Sequence, residues 1–511
     1  SLSLSLSASL SLSLSLSLPL PPSLSRSLPL SLPLSFSLLP PPRSLPSFPP
    51  FLSAPLSSGA MGESGEPEGP PTRSRWHTVI APAVRATFFL AGRWPRLQHG
   101  HALAGSHPVG VRRGRLAYGS GGKATPAIQL HYPATTENAE VEMPYFRQEA
   151  LDGLAKFSGS SRLVFEPLGH RQHPAAAGAP LLVPPPGGWP LIIFSHGLGG
   201  SMEMYTQFCM NLSSFGYVVV AIEHEDGSGS YAERAPQVEG KEGVFDIPAQ
   251  GREPILFTPP PTKVEGSNRD AIIAFRGPHL AQRLEELRTT LESIKAAGNQ
   301  VASNVSHVVE MYAPAPAATQ PHDATALLPI IQNCETSRIS LVGHSFGAAT
   351  VFLAGAPSAA LPTGPPAAIA VLDPWAECMS DEQLNEEKTP PMLSIHSESW
   401  KELALKSSCA HAFMNSLSEL RAPLVLRKTV HQSFSDVMNW VPAMVSRRIH
   451  ALGPEEVLHV THRASAEACA VHIAQARHGA PTTAEDTHWH ERLPTAGKDF
   501  ESLRKQHVVN H

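Results

Sequence analysis

The sequence predicts an α/β fold: a mostly parallel central sheet with helices on both faces and an antiparallel hairpin at its N-terminal side. Three observations predict it. Short apolar runs of buried-strand length recur from Pro190 to Leu426, separated by loops and by segments with helical spacing. Ahead of them, residues 109–132 carry strand-like alternation bounded by Gly and Pro, as a hairpin requires. One run, Arg338-Ile339-Ser340-Leu341-Val342, feeds into Gly343-His344-Ser345-Phe346-Gly347 and then the small residues Ala348, Ala349 and Thr350. That is strand, tight turn and helix start, with a serine at the apex and glycine on both sides of it.

Taken from the N-terminus, residues 1–75 are low-complexity, first alternating Ser and Leu, then rich in Ser, Pro and Leu. Such monotony builds no specific core, so this segment is expected to be disordered or absent from the mature protein. It is either leader-like or an over-extended reading ahead of Met61. The catalytic α/β domain is expected over 76–478, beginning with a poorly specified lead-in from Trp76 to Gly105. The hairpin runs from Val109–Tyr118 to Ile128–Tyr132, and Gln148–Phe157 forms a short helix with Leu151, Leu154 and Phe157 on one side. The Pro/Gly/Ala-rich run 174–188 reads as a loop.

The strand Pro190–Phe194 ends at Ser195-His196-Gly197-Leu198-Gly199-Gly200, the helix Met202–Phe215 closes at Gly216, and the strand Tyr217–Ile222 ends in Glu223-His224-Glu225-Asp226. A strand–helix–strand unit of this kind calls for parallel pairing. Long loops are expected near 227–268 and 298–322, with an amphipathic helix at His279–Ala297 between them. After the serine turn come strands at 368–372, 391–395 and 423–426, then helices at 437–450 and 454–477. The polar tail 479–511 is expected to be mobile.

Composition narrows the function. A net charge of -5 without a long basic run excludes nucleic acid as a partner. The five cysteines are scattered and never form C-x-x-C, which argues against a disulfide framework or a zinc site. That usage favours a reducing, cytoplasmic setting, with secretion or organelle targeting as alternatives. No apolar stretch is long enough to span a bilayer as a helix.

A serine hydroxyl needs a base, and the base needs an acid to orient it. In α/β-hydrolases the chain order is Ser, acid, His, each at a strand end. Ser345 is the nucleophile, Asp373 follows its strand directly in VLDPW, and His431 follows the last strand in TVHQSFSD. Asp381, Glu398 and Asp436 compete for the acid, and His396 for the base. The oxyanion formed on attack needs preorganised N–H donors: the backbone amides of Phe346 and Leu198, with Gly199 as the alternative to Leu198. No cofactor or metal is implied, since the histidines of the C-terminal part (His459, His462, His488, His490) lack a supporting carboxylate or cysteine pattern.

The stretches WPLIIFSHGLGG, YVVVAIEHEDGS, RISLVGHSFGAATV, VLDPW, TVHQSFSD and PEEVLHVTHRAS resemble the platelet-activating factor acetylhydrolase family of plasma and type II kind. The resemblance covers roughly residues 105–475. It implies the α/β-hydrolase fold and calcium-independent hydrolysis of short or oxidised sn-2 acyl chains from a phospholipid substrate. It puts the family's nucleophile, acid and base on Ser345, Asp373 and His431, and its oxyanion amides on Leu198 and Phe346. Two departures adjoin the site and would narrow the acyl pocket: Ala348 replaces a usual Gly, and Pro374 a usual small residue. Residues 145–157 are similar to a family helix that meets the lipid surface, but they carry Arg147, Glu149 and Asp152 and no Trp. So few apolar anchors give at best a weak peripheral contact, and packing on the sheet is the expected role of Leu151, Leu154 and Phe157. The rival functions are a chlorophyllase-like or polyester-cleaving carboxylesterase and a non-catalytic binding protein of the same fold.

Overall fold

The computed structural model describes residues 103–116, 124–135, 143–234, 253–261, 268–299, 327–404, 424–440, 458–478 and 508–510. The chain divides into two units, Ser1–Pro55 and Leu56–His511, and every described residue belongs to the second. The low-complexity segment 1–75, the lead-in up to residue 102 and most of the 298–322 loop therefore lie outside the described residues.

The strands are β1 (Val109–Gly114), β2 (Ile128–Pro133), β3 (Ala176–Ala177), β4 (Trp189–Ser195), β5 (Val218–Ile222), β6 (Tyr231–Arg234), β7 (Glu253–Leu256), β8 (Cys334–His344), β9 (Ile369–Leu372), β10 (Met392–Ser397), β11 (Leu424–Leu426) and β12 (Val508–Asn510). Ten of them form one sheet in the order β3-β1-β2-β5-β4-β8-β9-β10-β11-β12. From β5 across to β11 every neighbouring pair is parallel, while β1, β2 and β5 pair antiparallel. The α/β-hydrolase architecture expected from the sequence is the one observed.

Strand periodicity explains why both faces need helices. In β4, Leu191 and Ile193 join one core cluster, whereas Ile192 and Phe194 join the other. Val218 and Val220 against Val219 and Ala221 repeat the alternation in β5. The helices that cover the sheet include α1 (Gln148–Phe157), α2 (Thr206–Ser214), α3 (Arg269–Gly298), α4 (Leu327–Gln332), α5 (Phe346–Ala354) and α6 (Ala464–His478). Leu287, Leu291 and Ile294 of α3 cover the first cluster together with α4 and α5. Leu151 of α1, Phe208 and Leu212 of α2 and Ile473 of α6 cover the second. Each such fully buried side chain stabilises the fold by about 1.5–3 kcal/mol relative to exposure.

Several expectations need correction. The 174–188 run is not only loop, because β3 adds to β1 there. Part of 227–268 is a small antiparallel sheet, β6 with β7. The C-terminal tail contributes β12, which pairs antiparallel with β11. Helix α3 starts ten residues before His279 because Pro278, which reads as a boundary, is tolerated inside it. Contacts from outside hold that first part: the Asn268 side chain caps the Ala271 amide, and Arg269 pairs with Asp381 and the Met379 carbonyl. The expected helix 437–450 is described only over Val437–Trp440. Arg147 is not a surface charge of α1; it is buried between Glu203 and Glu223. No helix among the described residues is long and apolar enough to cross a membrane.

Candidate active site

Ser345 stands at the tip of β8, where the chain turns into α5 with φ 56° and ψ -116°. A non-glycine residue at positive φ is strained, and here the turn sets the hydroxyl 2.9 Å from His431 Nε2. The flanking glycines answer a different need, close approach. A Cβ on Gly343 would lie 2.2 Å from the Gly347 carbonyl oxygen, and one on Gly347 would lie 2.1 Å from the Ser195 carbonyl oxygen. Both obstacles are backbone, so neither can move cheaply. Gly347→Ala is therefore expected to cost about 1–3 kcal/mol of stability and to displace Ser345. Unchanged denaturation midpoint and unchanged labelling by a serine-directed fluorophosphonate would contradict this.

The structure brings the three sequence-predicted side chains together. His431 Nε2 lies 2.9 Å from Ser345 Oγ, and His431 Nδ1 lies 3.1 Å from Asp373 Oδ2. Asp373 also takes a left-handed φ of 44° directly after β9. Its Oδ1 accepts from the Ser397 amide at 2.7 Å, and its Oδ2 accepts from the Ser397 hydroxyl at 2.6 Å as well as facing the imidazole. His431 opens a short turn after β11, and the Trp400 ring stacks on it with centroids 4.1 Å apart. Trp400 in turn donates to the Pro374 carbonyl. Neither Ser397 nor Trp400 carried a motif; their positions at and just beyond the end of β10, beside β9, were the available signal.

The rival acids and base go elsewhere. Asp381 is exposed and pairs with Arg269, and Glu398 accepts from the Lys428 amide. His396 is wholly buried beneath Asp373, bonded to Ser394 Oγ, and burial lowers its pKa to about 4 despite the neighbouring Asp373. Asp436 is buried, accepting from the Tyr145 hydroxyl and the Gln207 amide.

Burial pushes the Asp436 carboxyl up to about 8, against the pull of those hydrogen bonds. A carboxyl raised in the folded chain supports folding fully below its unfolded pKa of about 4 and loses that contribution as pH climbs through about 8. Asp436→Asn cannot ionise, so its melting temperature should gain on wild type progressively across that window. A constant gap would refute the assignment.

The loop 196–200, expected from the sequence to supply an oxyanion donor, sits against the serine. A Cβ on Gly197 would meet Ser345 Cβ at 3.2 Å and His344 Nδ1 at 3.2 Å. The Gly197 amide donates to the Tyr205 hydroxyl, which also pairs with His344 Nδ1. Burial, with His431 alongside, holds His344 neutral, its pKa well below the usual histidine value. The Gly199 amide is spent on the Ser228 carbonyl at 2.7 Å. Among the described residues, the Leu198 and Phe346 amides have no acceptor. Gly199 is at φ 69° and the Phe157 ring lies on it, where a Cβ would come within 2.0 Å. Phe157 therefore covers this loop rather than the sheet. Ala348 is completely buried in the α3-side core.

Among the described residues, one group of possible metal ligands converges: His344, Asp373 and His431, with ligand atoms within 4.8 Å of one another. Asp373 Oδ2 and His431 Nδ1 bond to each other and His344 Nδ1 bonds to Tyr205, while His344 Nε2 has no hydrogen-bond partner among the described residues.

A profile of the family described as platelet-activating factor acetylhydrolase, isoform II, matches residues 97–474. The platelet-activating factor acetylhydrolase of Gallus gallus is 25% identical over 395 residues, covering 73% of this chain and 83% of that one. The Bos taurus protein of the same name is 27% identical over 314 residues, covering 60% of this chain and 62% of its own. A solved ferulic acid esterase from Streptomyces cinnamoneus aligns with a TM-score of 0.45 at 18% identity, over 72% of this chain and 91% of that one. With the family profile spanning β1 to β11, the serine turn and the loop facing it, the chain belongs to the platelet-activating factor acetylhydrolase, isoform II, family.

Proposed function

We propose that this chain is a serine esterase that hydrolyses the sn-2 acetyl, short or oxidised acyl ester of phospholipids like platelet-activating factor. As a member of its family it is a carboxylic ester hydrolase. The observation that carries the reading is the continuous relay from Asp373 through His431 to Ser345, at 3.1 and 2.9 Å. Ser345 Oγ attacks the sn-2 carbonyl carbon as His431 Nε2 takes its proton. Asp373 accepts from Nδ1–H, which fixes the tautomer and stabilises the imidazolium. The Leu198 and Phe346 amides receive the developing oxyanion. On collapse, His431 gives its proton to the leaving sn-2 oxygen and the lysophospholipid departs. Water, activated by the same imidazole, then attacks the acyl-enzyme and releases the short acid.

Steady-state kinetics on a series of phospholipids differing only in the sn-2 chain, beside simple soluble esters, tests the substrate. The expected result is a steep fall in kcat/KM beyond short or oxidised chains, with soluble esters below the short-chain phospholipid. Equal preference for soluble esters would move the chain to the general carboxylesterase reading.

A further inference from the structure

We propose that Arg283 is a positioning residue of the oxyanion site, setting the spacing between the two backbone amides that receive the developing charge. This rests on the esterase reading above and adds to it a residue from α3, far from every motif. Arg283 is completely buried. One edge of its guanidinium donates to the His196 carbonyl at 2.6 Å, at the root of the loop carrying the Leu198 amide. Its flat face lies 4.7 Å from the centre of the Phe346 ring, on the residue carrying the other amide. One rigid plane thus touches both halves of the site.

The remaining donors fix the plane itself. Nε bonds Asp226 Oδ2 at 2.9 Å, and Nη2 bonds Ser228 Oγ at 2.7 Å. Ser228 Oγ passes the contact on to the Asp226 carboxylate, and the Ser228 carbonyl accepts the Gly199 amide. The loop is therefore gripped on both sides of Leu198, from His196 and from Gly199, by groups that meet at Arg283. The next turn of α3 repeats the hold: Glu286 bonds His224 Nδ1 at 2.7 Å, and His224 Nε2 bonds Ser195 Oγ at 2.8 Å. These groups tie the ends of β4 and β5 to the same helix.

Chemistry requires arginine here. A buried ion pair is a poor way to gain stability, because apolar side chains of like volume do as well or better. Only a guanidinium offers a planar fork for a carbonyl, a carboxylate and a hydroxyl together with a face for an aromatic ring. An oxyanion hole acts through donors already in place, so a shift of either amide is felt in the transition state and hardly in the bound ester.

The test compares wild type, Arg283→Lys and Ser228→Ala in the full chain. The readouts are kcat and KM on an sn-2 acetyl phospholipid and affinity for a trifluoromethyl ketone analogue, whose tetrahedral adduct bears the oxyanion. Arg283→Lys should lose on the order of tenfold to a hundredfold in kcat and the same factor in ketone affinity, with KM held within about twofold. Ser228→Ala, a smaller change, should move both in the same direction by several-fold. Circular dichroism and melting temperature establish that each variant is folded. If Arg283→Lys does not fold, Ser228→Ala decides. A folded variant that keeps its ketone affinity, or that raises KM with kcat intact, overturns the proposal. Wild type lacking both ester turnover and fluorophosphonate labelling at Ser345 would overturn the esterase reading, and this one with it.

Discussion

Ser345→Ala is expected to lower kcat on a short sn-2 ester by roughly 10⁶-fold and to abolish fluorophosphonate labelling, leaving the fold intact. Among the described residues, Ser345 is the hydroxyl bonded to the His431 imidazole. His431 Nε2 faces Ser345 Oγ at 2.9 Å, whereas Ser195 and Ser394, the serines bonded to His224 and His396, are buried. Stability adds a second reading of the same position. The positive φ of Ser345 costs of order 1–3 kcal/mol in any residue but glycine. Ser345→Gly should therefore be as inactive as Ser345→Ala yet melt at a higher temperature. An alanine variant that still labels would remove Ser345 from its role, and a glycine variant less stable than the alanine one would remove the strain.

Asp373→Asn is expected to cost roughly 10⁴ in kcat with little change in stability. Asparagine tolerates the left-handed backbone of this position, so the turn survives. What fails is the proton count. With its oxygen kept on the Ser397 amide, the new NH2 group meets His431 Nδ1, which must then accept rather than donate. The proton moves to Nε2, and the imidazole can no longer take one from Ser345. Single-turnover kinetics with a chromogenic short-chain ester would show slow acylation in a normally folded protein. A loss below about tenfold would shift the acid's role to another carboxylate.

The strands and the residues that meet at their ends were readable because both signals are local. A buried parallel strand declares itself by an unbroken apolar run, as in LIIF or VVVAI, and a serine turn by its two glycines. Asp373 and His431 were readable because each follows such a run directly. The same locality misleads where the chain contradicts its own signals. The helix expected at His279–Ala297 begins at Arg269, with Pro278 inside it, and the short strands β3, β6, β7 and β12 lie in segments whose composition is that of loops.

What surrounds the relay was not legible, and the reason is distance along the chain. Ser397 reaches Asp373 across 24 residues, Tyr205 reaches His344 across 139, and Arg283 reaches His196 across 87. None of these partners has a neighbour in sequence that announces it. Arg283 reads as one charge on an amphipathic helix until packing buries it. Burial alone turns a solvated guanidinium into a fixed fork, because in the absence of water its donors must find protein acceptors. Sequence decided which residues could carry ester chemistry and in what order. Tertiary packing decided which of them meet, which amides near Ser345 lack an acceptor among the described residues, and what holds them still.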